Sequence, residues 1–299
     1  MRPVIIAHAG VGTPRSEDDG PKFACERAFP HLVSSIKDRF PNAVNACVEA
    51  VAAMESDIRF DAGVGSFMRL DGSIEMDAAI MDSSENIGAV VGLRDTKNPI
   101  YVAREVLELP HNILAGQGAL AFARQMGFTA YDCSTPRAYE RLSNVRSSLK
   151  GKAHLPEWAL DWKDFKKKGY LDAYLEDITG DTVGAVARDA KGNYAAAVST
   201  GGISIQLPGR VGDCSIIGAG VYCSKKGAVC ATGIGEQIQR KVMAKAVYDL
   251  IDQGESAQDA CEWGLRQFEK NVPVGVIAVS KDGYGIASNE DMAHFVKEG

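Results

Sequence analysis

Gly180-Asp181-Thr182-Val183-Gly184-Ala185-Val186 places an acid–threonine pair at the head of a run of small apolar residues that reads as a buried strand. Working outward, Val183–Arg188 and Tyr194–Ser199 flank Asp189-Ala190-Lys191-Gly192-Asn193, the signature of a hairpin. That geometry brings Thr200 close to Thr182. A threonine inside a chain is a poor nucleophile, because nothing nearby takes its proton. At a chain terminus its own α-amine, with a pKa of roughly 7.7–8.0, is partly neutral near pH 7 and can act as the base for the adjacent hydroxyl. Cutting the Asp181–Thr182 bond would make one residue both nucleophile and base. An isolated Asp-Thr pair is equally a plain strand start, so the rest of the chain has to decide.

Composition narrows the classes. The 299 residues suffice for one large or two modest cores, and 45% hydrophobic with 24% charged content is ordinary for a soluble enzyme. A net charge of −6 argues against nucleic-acid or anionic-membrane partners. Lys166-Lys167-Lys168 lies among acids and aromatics and reads as a solvated face. The seven cysteines (25, 47, 133, 214, 223, 230, 261) are scattered without a C-x-x-C pair. They read as small buried hydrophobes in a reducing cytosol, not as disulfides or zinc ligands. The five histidines show no ligand spacing. No signal-peptide or membrane-length apolar run stands out, and a cytoplasmic location is expected.

Along the chain, Pro3–Ala7 reads as a strand entering the turn His8-Ala9-Gly10-Val11-Gly12. Asn42–Glu55 has helical spacing, with Pro41 before it. Residues 60–82 read as a loop feeding a hairpin through Asp71-Gly72, and Ile87–Leu93 as a strand. Asn98-Pro99 starts a helix running to about Leu109, and Gly116–Gln125 forms another, stopped by Gly127. From 155 to 181 aromatics alternate with charges, which suggests a flexible connector or a charged helix. Glu236–Gln253 reads as one long helix, and Val274–Ser280 with Tyr284–Ser288 as a closing hairpin. Hairpin-linked strands with helices imply an α+β fold of antiparallel sheets faced by helices.

Three polar constellations add to Thr182. Ser199-Thr200-Gly201-Gly202 would let the Thr200 hydroxyl hold the amine or the nucleophile, although a capped strand end explains it equally. Gly209-Arg210-Val211-Gly212-Asp213 suits a zwitterion, with Arg210 on an α-carboxylate and Asp213 on the α-ammonium. A weak local Arg–Asp ion pair is the rival. Ala231-Thr232-Gly233-Ile234-Gly235-Glu236 offers backbone N–H groups and the Thr232 hydroxyl to a developing oxyanion. It lacks the glycine spacing and lysine of a phosphate loop.

Together these segments resemble the plant-type asparaginase and isoaspartyl peptidase family of N-terminal-nucleophile (Ntn) hydrolases, over nearly the whole chain. Collinear matches come from Phe60-Asp61-Ala62-Gly63-Val64-Gly65-Ser66, Asp71–Ala78, Lys97–Ile100, Asp181–Val186, Ser199–Gly202, Gly209–Asp213 and Thr232–Glu236. The resemblance implies one unit over 1–299, a four-layer αββα sandwich of two mainly antiparallel sheets between helical layers. It implies self-cleavage at Asp181–Thr182 into an α subunit (1–181) and a β subunit (182–299). It also implies a homodimer of αβ heterodimers. Thr182 would be nucleophile and base, with Thr200 supporting it and Thr232 and Gly233 forming the oxyanion hole. Arg210 and Asp213 would hold substrate, with the Gly235 carbonyl on the ammonium. The implied substrate is a small molecule: asparagine or a β-aspartyl dipeptide. Glycosylasparaginase- or taspase-like preferences, or a silent amino-acid-binding relative, are the alternatives. No organic cofactor is implied, while a sodium ion on backbone carbonyls of the loop before Asp61 is.

Two positions depart from the family pattern. His8-Ala9-Gly10 stands where His-Gly-Gly is usual. If position 9 needs positive φ, alanine costs about 1 kcal/mol or more and slows autocleavage. Asp61 stands where Asn is usual. A carboxylate beside the freed α-ammonium would raise its pKa and shift activity to alkaline pH, unless Asp61 simply accepts the same hydrogen bond.

Overall fold

Strands whose two faces are both apolar have to be covered on both sides, and that requirement organises the molecule. The computed structural model describes residues 1–152 and 182–299. The readings placed on 155–181 and on Asp181 lie outside the described residues. One sheet of seven strands runs in the order β11 (Met292–Glu298), β1 (Val4–Val11), β5 (Val183–Arg188), β6 (Tyr194–Thr200), β2 (Met76–Asp82), β3 (Ile87–Leu93) and β4 (Ile113–Ala115). Its neighbours are antiparallel except β3 and β4. The second sheet, fully antiparallel, orders β10 (Tyr284–Ser288), β9 (Val274–Ser280), β8 (Gly227–Gly233) and β7 (Val221–Ser224).

Four layers follow. Helices α1 (Asp19–Val33), α2 (Asn42–Glu55), α3 (Pro99–Val106) and α4 (Gly116–Gln125) cover the outer face of the large sheet. The inner faces of the two sheets meet through Ile6, Val186, Val198, Cys230 and Ile277. Helices α7 (Met243–Gln253) and α8 (Ala257–Leu265) cover the outer face of the small sheet. This is the expected αββα sandwich. Small residues fill much of β5 and β6, which helix α2 and strand β8 press on from opposite faces.

The bounds of α2, α4 and the 274–288 hairpin agree with the sequence reading, and all seven cysteines are buried free thiols. The expected long helix from Glu236 is instead two. Helix α6 (Gly235–Lys241) stops at Val242, whose φ is +48°, and α7 begins at once. The break is tertiary: the Ala244 and Lys245 N–H groups donate to the carbonyls of Ala219 and Gly218. Residues 60–82 hold a loop with a turn at Asp71-Gly72 that feeds the β2–β3 hairpin, and β2 also pairs with β6. Helices α1 and α5 (Pro136–Lys152) were not foreseen. Pro21 and Pro30 obscure the helical pattern of α1, which packs along α2.

Candidate active site

The three threonines meet because β-strand side chains alternate faces. Val186 of β5 and Val198 of β6 point between the sheets, so Thr182 and Thr200 share that face. Val183 pairs with Ser199, and one further step of the register sets Thr182 opposite Thr200. From the facing sheet, Cys230 lies against the carbonyls of Ala185 and Ala197 at 3.5 Å each, and Thr232, two residues on, faces the same way. All three threonines are buried. The Thr200 hydroxyl accepts the Gly202 N–H at 3.0 Å. The Thr232 hydroxyl is 0% exposed and has no hydrogen-bond partner among the described residues. Leaving such a group unsatisfied costs about 1–3 kcal/mol, so it marks a place built for something else to bind.

His8 enters this space from the other side of β5. It pairs with Gly184, and a Cβ at that glycine would sit 2.3 Å from His8 Nε2. The second glycine of the opening stretch is therefore set by the imidazole lying over it. His8 Nδ1 accepts the Gly10 N–H at 3.2 Å, and burial lowers the ring's pKa to about 3, so it is neutral. The expected strain at Ala9 is corrected here. Positive φ falls on Gly10 (+94°) and Gly12 (+98°), while Ala9 continues β1 with its methyl in the core. Alanine at this position carries no strain in this conformation.

Arg210, Asp213 and Gly235 do come together. A Cβ at Gly235 would lie 2.8 Å from Asp213 Oδ1 and 3.0 Å from Arg210 Nη2, so glycine lets both side chains lie close against this turn. The Arg210 guanidinium is bidentate to Glu236, with both contacts at 2.9 Å. Sequence reading had assigned Glu236 only to a helix start. Asp213 is buried with Oδ2 unpartnered among the described residues. Burial pushes its carboxyl up to about 7, against the lowering pull of Arg210.

Several further residues contribute. Asp77 pairs across the ladder with Thr200, accepts the Gly92 N–H at 2.8 Å, and is pushed up by burial to about 6. Arg69 is 1% exposed and holds the substrate loop by donating to the Arg210 carbonyl at 2.8 Å and to Gln206 Oε1 at 2.8 Å. Glu75 accepts the Gly209 N–H at 2.7 Å. Glu55, the last residue of α2, caps α3 by accepting the Ile100 N–H at 3.0 Å, and burial raises its carboxyl to about 8. Asp61 Oδ1 accepts the Phe67 N–H at 2.7 Å, and its carbonyl accepts the Gly201 N–H at 2.8 Å, one residue past Thr200. Asp61 already stood out in the sequence through its motif, whereas no local pattern announces what Arg69, Glu75, Asp77 and Glu55 do, because their partners lie elsewhere in the chain.

Hydroxyls converging between the sheets of an αββα sandwich, beside buried opposite charges, fit the N-terminal-nucleophile hydrolase class. A family model described as asparaginase matches residues 1–297, and the chain belongs to that family. It is 38% identical to a plant-type L-asparaginase of Pyrococcus furiosus over 303 residues, covering 99% of this chain and 96% of the relative. It is 37% identical to an isoaspartyl peptidase/L-asparaginase of Macaca fascicularis over 298 residues, covering 96% and 90%. The Homo sapiens protein of that same description is 36% identical over 298 residues, with 96% and 90% covered.

Proposed function

We propose that this chain is a self-processing amidohydrolase acting on asparagine, β-aspartyl dipeptides or both. The Thr232 hydroxyl, unpartnered among the described residues and facing the start of β5 from the opposite sheet, carries the reading. Scission of the Asp181–Thr182 peptide frees the Thr182 amine, which takes the proton of its own hydroxyl. The oxygen attacks the side-chain carbonyl, and Thr232 with the Gly233 turn meets the charge that develops on the carbonyl oxygen. The tetrahedral intermediate collapses to an aspartyl ester of Thr182, and the proton passes to the departing nitrogen. Water then hydrolyses the ester, releasing aspartate and restoring the hydroxyl. Arg210, oriented by Glu236, grips the α-carboxylate, while Asp213 and the Gly235 carbonyl hold the ammonium.

By resemblance to the family, a sodium ion would be held by backbone carbonyls of the loop before Asp61 and would stiffen that loop. In this structure the Ile58 and Arg59 carbonyls accept from the Arg137 guanidinium at 3.1 and 3.2 Å, and those of Asp57, Phe60 and Asp61 accept backbone N–H groups. The mature form is taken to be a cytoplasmic dimer of αβ heterodimers, by resemblance to the family. Among the described residues no helix is long and apolar enough to cross a membrane.

A denaturing gel tests the proposal. Dividing 31.9 kDa at residue 181 of 299 gives fragments of about 19 and 13 kDa. Thr182→Ala should remain one 31.9 kDa band and release no ammonia from asparagine. An uncleaved, inactive wild-type protein would favour an amino-acid-binding relative instead.

A further inference from the structure

The segment from Thr200 to Asp213 carries the nucleophile's supporting hydroxyl at one end and the substrate's charged partners at the other. One buried side chain between them reaches toward both. Gln206 is 2% exposed. Its Nε2 donates to the Gly201 carbonyl at 2.8 Å, and its Oε1 accepts from Arg69 Nη1 at 2.8 Å. These partners fix which way the amide points, because a carbonyl only accepts and a guanidinium only donates.

On the Thr200 side the contact acts through a single peptide. The Gly201 carbonyl and the Gly202 N–H belong to one rigid plane, so a bond to the first aims the second. That N–H donates to the Thr200 hydroxyl at 3.0 Å. Gly202 has φ +105°, and a Cβ there would lie 1.9 Å from Gln206 Oε1, so the amide lies directly on this turn. On the other side Arg69, 1% exposed, donates to the Arg210 carbonyl at 2.8 Å and the Leu207 carbonyl at 3.3 Å. Arg69 Nε also pairs with Glu75 at 3.3 Å, and Glu75 accepts the Gly209 N–H at 2.7 Å. Arg69 thus holds the loop that presents Arg210, and Gln206 holds Arg69.

We propose that Gln206 is a positioning residue that ties the peptide aiming Thr200 to the arginine carrying the Arg210 loop, so that the carboxylate clamp and the nucleophile's support keep one relative placement. The inference rests on the amidohydrolase reading and deepens it. Each end of the amide then has its own kinetic signature: the Gly201 end acts on the chemical step through Thr200, and the Arg69 end acts on substrate binding through Arg210.

Mature protein is assayed on asparagine and on β-aspartyl-leucine, and rates on the better substrate are expressed per cleaved chain. Gln206→Glu keeps an acceptor for Arg69 but loses the donor to Gly201, so kcat should fall about tenfold while KM stays within about twofold. Arg69→Met should do the reverse, raising KM about tenfold at nearly constant kcat. Gln206→Met keeps the length of the side chain and removes both contacts, and should lower kcat and raise KM together. A merely structural role would reduce Tm and the cleaved fraction and leave both constants per cleaved chain unchanged. That result, or a Gln206→Glu variant in which KM alone moves, would overturn the positioning role. Should Gln206→Glu not mature, Gln206→Met decides, and unchanged constants there overturn it. Cleaved wild-type protein that turns over neither substrate would overturn the amidohydrolase reading, and this inference with it.

Discussion

The strand-borne half of the site and its loop-borne half are built on different principles. Thr182, Thr200 and Thr232 are neutral groups at the head of β5, on β6 and on β8; ladder register sets Thr182 opposite Thr200, and the packing of the two sheets sets Thr232 across from them. Arg210 and Asp213 are charged groups on a loop, which is held by long-range partners that include Glu236, Arg69, Glu75 and Gln206. Backbone register is insensitive to pH and to most side-chain changes. Buried charge is not, because each unit of pKa displacement is about 1.4 kcal/mol of interaction. The two halves should therefore fail in different ways.

The largest expected effect breaks the strand half. Thr232→Val removes the donor from the oxyanion site while keeping the shape of the side chain. It should lower kcat by roughly 10²–10³ with little change in KM, as judged by ammonia release under saturating asparagine. A rise in KM at unchanged kcat would place Thr232 in ground-state binding instead.

Asp213 tests the loop half with a smaller and pH-dependent effect. Its carboxyl is raised to about 7 and must be ionised to hold an ammonium. As pH falls through about 7 the neutral form grows, so KM for asparagine should rise toward acid pH. Asp213→Asn should raise KM by roughly tenfold or more at pH 8 and flatten that dependence. The Thr182 amine titrates in the same region, but its loss acts on kcat, and the split between kcat and KM separates them. A pH-independent KM in the wild type would remove Asp213 from ammonium binding.

The smallest effect concerns Ala9. Since φ is positive at Gly10 and Gly12 and not at Ala9, Ala9→Gly relieves nothing. It should leave the time course of cleavage unchanged and lower stability by about 1 kcal/mol, read as a reduced Tm. Faster cleavage in the variant would mean that the maturing chain passes through a conformation in which position 9 is strained.

The strand half was the more legible in the sequence. Buried strands flanking Asp189–Asn193 implied the hairpin, and the hairpin implied that Thr182 and Thr200 are neighbours. The Gly209–Asp213 stretch signalled a cation and an anion near one ligand but not what orients them. Glu236 is 26 residues from Arg210, and Arg69 is 141 away from the carbonyl it holds. The unbroken helix expected after Glu236 failed for a similar reason, because carbonyls of the 218–219 turn capture two N–H groups of α7.

By itself the sequence determined the elements whose cause is local: the 42–55 helix, the hairpins, the small-residue strands, and the residue types able to perform acyl transfer. The tertiary structure decided what lies opposite what. It set Thr232 across from the β5–β6 pair, gave Arg210 its partner Glu236, and moved the glycine conformations off Ala9. The physical reason is that periodicity and turn chemistry act over a few residues. A buried hydroxyl or charge is placed by whichever distant segment desolvates it and supplies its hydrogen bonds.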